Sequence, residues 1–323
     1  MPLYDEYPSY VTYQSLRRRP SVLSQEFPRP TLKEDENYYP VNKVLARHFS
    51  SVGEFHRFGA ESFCEFLADT IEVELCVVIP AVASLRRIPF DIPTQPKQDL
   101  FKTATDEGYH AEQSLQYLSD LRTGFSLKES DPCQGPLFLR RLELQRAMEP
   151  DPMHRHLITV VNGIVTETRI SVELSQFARD ASLAESVREI CHSHAEDEAV
   201  HSSQFRALGK WLWEELDEGT RFKVAQFLTA STIARSMPDI DRFVDMLQRS
   251  TGRSRLDCER LVYSSYNEDL LIEEMMFAAK PTVSFLNQLG TEQYAPFGLA
   301  LERERQRLAL ELNQRQKDVG SSY

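Results

Sequence analysis

The sequence predicts an all-α protein, a four-helix bundle with additional helices in its C-terminal third. Three observations carry this. Long stretches of the 323-residue chain repeat apolar residues at helical spacing. Glycine is scarce at 12 and Asn-Gly pairs are absent, so β-hairpins have little support. The periodic stretches are broken by proline-containing segments such as RIPFDIPTQP and LKESDPCQGP, which punctuate helices. With 27% charged and 41% hydrophobic residues, the chain has the composition of a globular protein rather than a disordered one.

Residues 1–40 are rich in Tyr and Pro, with Tyr4, Tyr7, Tyr10 and Tyr13 at three-residue steps, and are expected to form an extended arm packed over the domain or a neighbouring subunit. Residues 41–323 are expected to form one helical domain, with the bundle proper over about 54–217. The first long helix runs from about Glu54 to Ile79 and is bent or ended at Pro80. The linker RIPFDIPTQP follows, then a second helix over Gln98 to Arg122 and the loop LKESDPCQGP. A shorter helix at 136–148 leads to a third long helix over Pro152 to Arg179 and a fourth over Leu183 to Leu216. Shorter helices interrupted near Pro238, Gly252, Pro281 and Gly290 complete the chain. The last, Ala295 to Gln316, alternates charge and should be solvated or a partner surface. Two long helix pairs with additions is a bundle pattern.

A net charge of -12 argues against a nucleic-acid groove, which needs cations to neutralise phosphate. No apolar run approaches the ~20 residues of a membrane span, and the N-terminus has no apolar run of the signal-peptide kind. Five cysteines at unrelated spacings, Cys64, Cys76, Cys133, Cys191 and Cys258, suggest no disulfide framework, so a cytoplasmic location is expected.

The chemistry lies in two motifs. Helix two carries Asp106-Glu107-Gly108-Tyr109-His110 and helix four carries Asp197-Glu198-Ala199-Val200-His201. Residues three apart share a helix face, so each Glu and His can grip the same metal. One such motif is weak; two, each preceded by Asp on a long helix, are strong. Carboxylate-bridged di-metal bundles add one Glu from each remaining helix. On helix three, Glu167 sits in the stripe of Val160, Gly163, Ile164, Ser171 and Leu174, where a bare carboxylate needs a metal or cation. On helix one, Glu72 shares a face with Ala68, Leu75 and Ile79, whereas Glu74 neighbours Leu67, Ile71 and Val78; periodicity alone leaves both open. His194 lies four residues before Glu198 and seven before His201, on the same stripe, and makes a third candidate imidazole. Asp106 and Asp197 are placed to hydrogen-bond the metal-binding His of the opposite motif. Carboxylates with imidazoles suit redox iron better than thiolate-preferring metals.

The order Glu72, Glu107, His110, Glu167, His194, Glu198, His201 resembles the p-aminobenzoate N-oxygenase family over about residues 55–210. That family's motifs look like DExxH, AET before an apolar helical run, and HxxxDExxH; here they read DEGYH, TETRIS and HAEDEAVH, with Glu196 between His194 and Asp197. The separations of 35 from Glu72 to Glu107, 57 from His110 to Glu167 and 27 from Glu167 to His194 also suit it, and this favours Glu72 on helix one.

The resemblance implies a ferritin-like fold, two Fe ions cycling between Fe2+ and Fe3+, O2 as co-substrate, an external electron donor and a homodimer. It implies N-oxygenation of an arylamine, an amino acid or a carrier-protein-bound aminoacyl group, to the hydroxylamine, nitroso or nitro level in secondary-metabolite biosynthesis. Glu173 and Phe177, beyond Glu167 on the same helix, are the candidates for lining the substrate pocket, Glu173 suiting an amino group. The competing readings are a di-iron desaturase or hydroxylase acting on carbon, a ferritin-like iron-handling protein, and a helical interaction protein without metal.

Overall fold

The computed structural model describes residues 31–128 and 135–320. Among them there is no β-strand, only an isolated bridge between Asn37 and Leu183, and the chain is all-α with the helical arrangement of a ferritin-like protein. The bulk of the predicted Tyr-rich arm lies outside the described residues. The part that is described runs over the bundle: the Asn37 carbonyl accepts from the Ala184 N–H at 2.7 Å, tying it to the turn between two long helices.

Helix α1 (Val52–Val73) starts at Ser51, whose hydroxyl accepts from Glu54 N–H at 3.1 Å and so satisfies one free donor of the first turn, while the Glu54 carboxylate accepts from the N–H of Ser50, just before the helix, at 2.7 Å. It passes into a π-helical turn, Glu74–Val78, and continues as α2 (Ile79–Ser84). Of the bend or end expected at Pro80, the end does not occur; the helix departs from α geometry in the π turn just before the proline and then continues. Proline has no N–H to offer the α ladder, and the wider π turn ahead of it lets the helix run on.

Helix α3 (Thr94–Gly124) is followed by α4 (Leu137–Met148), then α5 (Pro152–Arg179), which Asp151 caps with Pro152 as its first residue. Helix α6 (Glu185–Glu215) follows α5 after a short turn and packs along it as its antiparallel neighbour. Helices α1 and α3 form the other long pair.

Close packing between the pairs is set by glycine. A Cβ on Gly163 of α5 would meet Ala81 Cβ at 2.5 Å and Phe205 Cε1 at 3.1 Å, so α2 and α6 both close on the glycine backbone.

Helices α7 (Glu218–Ser236), α8 (Ile240–Thr251), α9 (Arg255–Ser265), α10 (Glu268–Leu289) and α11 (Phe297–Gly320) complete the chain. Gly252 and Gly290, both in the left-handed region at φ 68° and 75°, end α8 and α10 as predicted from sequence. Pro281, expected to interrupt, instead lies inside α10. The carbonyl it deprives of a partner belongs to Phe277, on an exposed face where water can reach it.

These helices build a second apolar cluster, around Val244, Leu247, Val262, Tyr266 and Met275, which takes in Phe58 of α1. Helix α11 is not wholly solvated: Leu308, Leu312 and Val319 join this cluster. Charge fixes it to the bundle, where Arg249 of α8 reaches Glu61 at 2.8 Å and Glu65 at 2.6 Å on α1. No helix of the described residues is long and apolar enough to cross a membrane. Of the cysteines, Cys64, Cys191 and Cys258 are buried and free and Cys76 is exposed; Cys133 lies outside the described residues.

Replacing Gly163 with Val should lower stability by about 1–3 kcal/mol through overpacking against α2 and Phe205. Urea denaturation checks this, and an unchanged midpoint would contradict the close approach.

Candidate metal centre

The two motifs are brought together because α3 and α6 run antiparallel through the middle of the bundle. Glu107 and Glu198 point inward, each with less than 1% of its surface exposed, and lie between His110, His194 and His201. His110 Nδ1 is 2.8 Å from Glu107 Oε2 and 3.2 Å from Glu198 Oε1. His201 Nδ1 is 2.8 Å from Glu107 Oε1 and 3.3 Å from Glu198 Oε1. His194 Nε2 is 3.0 Å from Glu198 Oε1 and 3.9 Å from a carboxylate oxygen of Glu74. Helix α5 adds Glu167, fully buried.

These atoms fall into two overlapping sets, each with its candidate ligand atoms within 4.8 Å of one another. One comprises Glu74, Glu107, His110, His194 and Glu198; the other comprises Glu107, Glu167, Glu198 and His201. Glu107 and Glu198 belong to both, which is where bridging carboxylates of a two-metal centre stand. The third imidazole falls in one set only, so the two positions differ in nitrogen content.

The outward ring nitrogens are also engaged. His110 Nε2 lies 3.3 Å from Asp197 Oδ2, and His201 Nε2 lies 3.4 Å from Asp106 Oδ2. Each aspartate thus holds the histidine of the other motif, the reciprocal arrangement that antiparallel helices carrying the same pentapeptide produce. It leaves Nδ1 of both rings facing the carboxylates, as a metal-binding imidazole oriented from behind would. One turn further along the same seam, the Thr103 hydroxyl donates to Gln204 Oε1 at 2.6 Å.

Helix one contributes Glu74, not Glu72. Glu74 is fully buried, whereas Glu72 is exposed on the outer face and hydrogen-bonded to the Cys76 thiol. The Glu72 expectation is corrected. The stripe that meets the bundle runs through Leu67, Thr70, Glu74 and Val78, and the spacing from helix one to helix two carries a loop whose length fixes nothing about the face. Leu67 and Val78 were the neighbours in the sequence that pointed to Glu74.

Glu173 is half-buried and already paired with Arg169 at 3.5 Å, while Phe177 is buried with its ring 5.2 Å from Tyr39 and 5.1 Å from Phe66. His192 stands away from the cluster, exposed beside Glu196.

The charge balance indicates what the cluster is built to hold. Burial raises the Glu74 carboxyl well above the ordinary range, helped by the nearby Glu107 and Glu198 charges. Burial does the same to Glu167, with Glu198 and Glu107 adding to it. For Glu198, burial also pushes upward, but the His201 charge and hydrogen bonds from the three imidazoles outweigh it and hold the group well below its usual range. Burial opposes charge on His110 and His201, yet contacts to Asp197, Glu107 and Glu198 on one, and to Glu107, Glu198 and Asp106 on the other, raise both well above the ordinary value. His194 goes down, through burial and the neighbouring His110 charge.

Both oxygens of Glu74, both of Glu167 and Oε2 of Glu198 are buried with no hydrogen-bond partner. A native interior rarely leaves so many carboxylate oxygens unsatisfied unless something binds them. Two divalent cations would neutralise four glutamates and replace the protons that otherwise hold the cluster together. The residues therefore fit a two-metal centre, and oxygen-rich donors with imidazole suit iron.

Comparison with known proteins points the same way. Residues 56–290 match the family described as p-aminobenzoate N-oxygenase AurF. A 4-aminobenzoate N-oxygenase of Streptomyces thioluteus is 22% identical over 201 residues, which cover 62% of this chain and 59% of that protein. The match runs from α1 through the metal-centre helices into α10, and on it the chain belongs to the p-aminobenzoate N-oxygenase family.

Proposed function

We propose that this protein is a di-iron N-oxygenase that uses O2 and an external reductant to oxidise the amino group of a small arylamine. The observation that carries the reading is the buried set of four glutamates and three histidines, with its unsatisfied carboxylate oxygens, in a chain of this family. Glu74, His110 and His194 would hold one iron, Glu167 and His201 the other, with Glu107 and Glu198 shared between them. The irons would supply the reduction of O2. Converting an amine to a hydroxylamine takes one O2, two electrons and two protons, and releases one water; nitroso and nitro products follow by further oxidation.

The chain's own residues do the rest. Asp106 and Asp197 keep Nδ1 of His201 and His110 turned inward. The apolar shell of Val78, Val160, Ile164 and Phe205 keeps bulk water from the centre, which guards against loss of the oxidant to solvent. The substrate amine must arrive neutral, since only then does its nitrogen offer a lone pair. An arylamine, weakly basic, meets that condition at neutral pH without help from a base.

Anaerobic titration with Fe(II) should saturate at two metal ions per chain, and O2 should then give a visible-absorbing species that decays faster when an arylamine is added. Loading far beyond two would move the reading to iron handling, two irons without an amine effect to oxidation at carbon, and no uptake would end it.

Because burial and neighbouring charges favour the protonated forms of Glu74 and Glu167, and nearby carboxylates those of His110 and His201, while ligands must bind deprotonated, metal uptake should acidify a weakly buffered solution and tighten as pH rises. Equal affinity at about pH 6 and about pH 8 would contradict the proton balance. Glu74→Ala should lose metal at one position, while Glu72→Ala should bind as the wild type does; metal analysis of the two purified variants decides between the two residues.

A further inference from the structure

The seam between α3 and α6 is closed at the level of the two pentapeptides, and onward to Thr103 and Gln204, by hydrogen bonds. In the other direction, toward the start of α6, it opens into a cavity of about 540 Å3 that Thr31, Lys33 and Glu36 also border. Its inner end is set by Gln113, three residues after His110, and by Ile190, four residues before His194. Residues at those spacings share a helix face. The cavity therefore ends one helical turn, about 5 Å, from the His110 and His194 rings, whose centroids are 3.9 Å apart. His194, at 5% exposure, is also the least buried of the seven cluster residues.

The lining is acidic. Asp120 of α3, Glu185 and Glu189 of α6, and Glu36 face one cation, Lys33, which is already paired with Glu36 at 2.8 Å. Glu185 and Glu189 stand one turn apart, exposed, and make no ion pair among the described residues. Further in, Tyr117 follows Gln113 by one turn of α3 and Ser186 precedes Ile190 by one turn of α6. Their hydroxyl oxygens are fully buried, near one another but without hydrogen-bond geometry between them or to any other group. Tyr117 as a whole is only 6% exposed. Buried hydroxyls are rarely left so unless a water or an ion completes them. Acids in excess of cations, with neutral oxygens among them, suit a hard divalent cation that keeps part of its water and repel an anion.

The cluster itself is sealed from solvent, so a metal ion needs a way in, and this cavity is the acidic opening that reaches its imidazole pair. We propose that the cavity is a transit site for a hydrated divalent cation, and that metal passes through it to the buried cluster. The destination rests on the metal-centre reading; the cation site itself does not. Negative potential in a narrow cleft raises the local cation concentration and the rate of entry, and added salt removes the effect.

Uptake of Co(II) by the metal-free full chain, followed by stopped-flow absorption at low ionic strength, tests this. Glu185→Gln/Glu189→Gln should slow uptake by about tenfold or more while leaving the final stoichiometry unchanged. Glu185→Lys/Glu189→Lys should slow it further, and high salt should bring the wild type and both variants together. Glu214→Gln/Glu215→Gln, exposed at the far end of the same helix, should load as the wild type does. Equal rates for the wild type and Glu185→Gln/Glu189→Gln overturn the proposal. Equal slowing by the far pair also overturns it, since net charge rather than the cavity would then be responsible. Should no Co(II) enter the cluster, the metal-centre reading falls and Mn(II) decides on the cavity alone. Loss of the free-ion paramagnetic resonance signal at millimolar Mn(II) in the wild type, but not in Glu185→Gln/Glu189→Gln, supports the cation site. The same signal in both overturns it.

Discussion

Four glutamates buried among three histidines govern the architecture of this bundle. Carboxylates at this depth lose their hydration, and like charges at these separations cannot all ionise without compensation. Two outcomes are open: protons distributed over Glu74, Glu167, His110 and His201, or cations held between the carboxylates. Each requires four helices to be held in register around one point, and the packing is arranged to do so. Gly163, one turn before Glu167, removes the side chain that would otherwise keep α2 and α6 from α5. The π turn begins at Glu74 itself, so the helix that carries this ligand changes its geometry at the ligand, as π bulges at functional sites do.

The cluster is also divided between its two sides. On the side of α3 and α6, every outward imidazole nitrogen of the two pentapeptides meets an aspartate, and polar contacts continue to Thr103 and Gln204. That side is closed by hydrogen bonds and fixes ring orientation. On the side of α1 and α5, Glu74 and Glu167 have oxygens without partners. Ring orientation is thus fixed on one side of the centre, and the unpartnered carboxylate oxygens lie on the other. The additional helices bear on α1, where Arg242 and Arg249 of α8 pair with Asp69, Glu61 and Glu65.

Much of this was legible in the chain. The long helices, the paired pentapeptides and their crosswise aspartates follow from spacing, because residues three apart share a helical face whatever surrounds them. The stripe around Glu167 marked it for the same reason, and Gly252 and Gly290 ended their helices where left-handed glycines do. Proline was a poorer guide. Pro80 and Pro281 both sit within continuous helices, since a π turn or an exposed carbonyl absorbs the missing hydrogen bond, and neither device is written in local sequence.

What the sequence by itself determined is the set of donor residues: which types occur, and that two helices carry the same Asp-Glu-x-x-His pentapeptide. Only the tertiary structure decided which face of helix one turns inward. Glu72 and Glu74 both have apolar neighbours at helical spacing, and the choice depends on contact with α3, α5 and α6, to which the sequence of α1 alone is blind. Local periodicity fixes what a helix can offer; the cost of burying charge, summed over all its neighbours, fixes what the site requires.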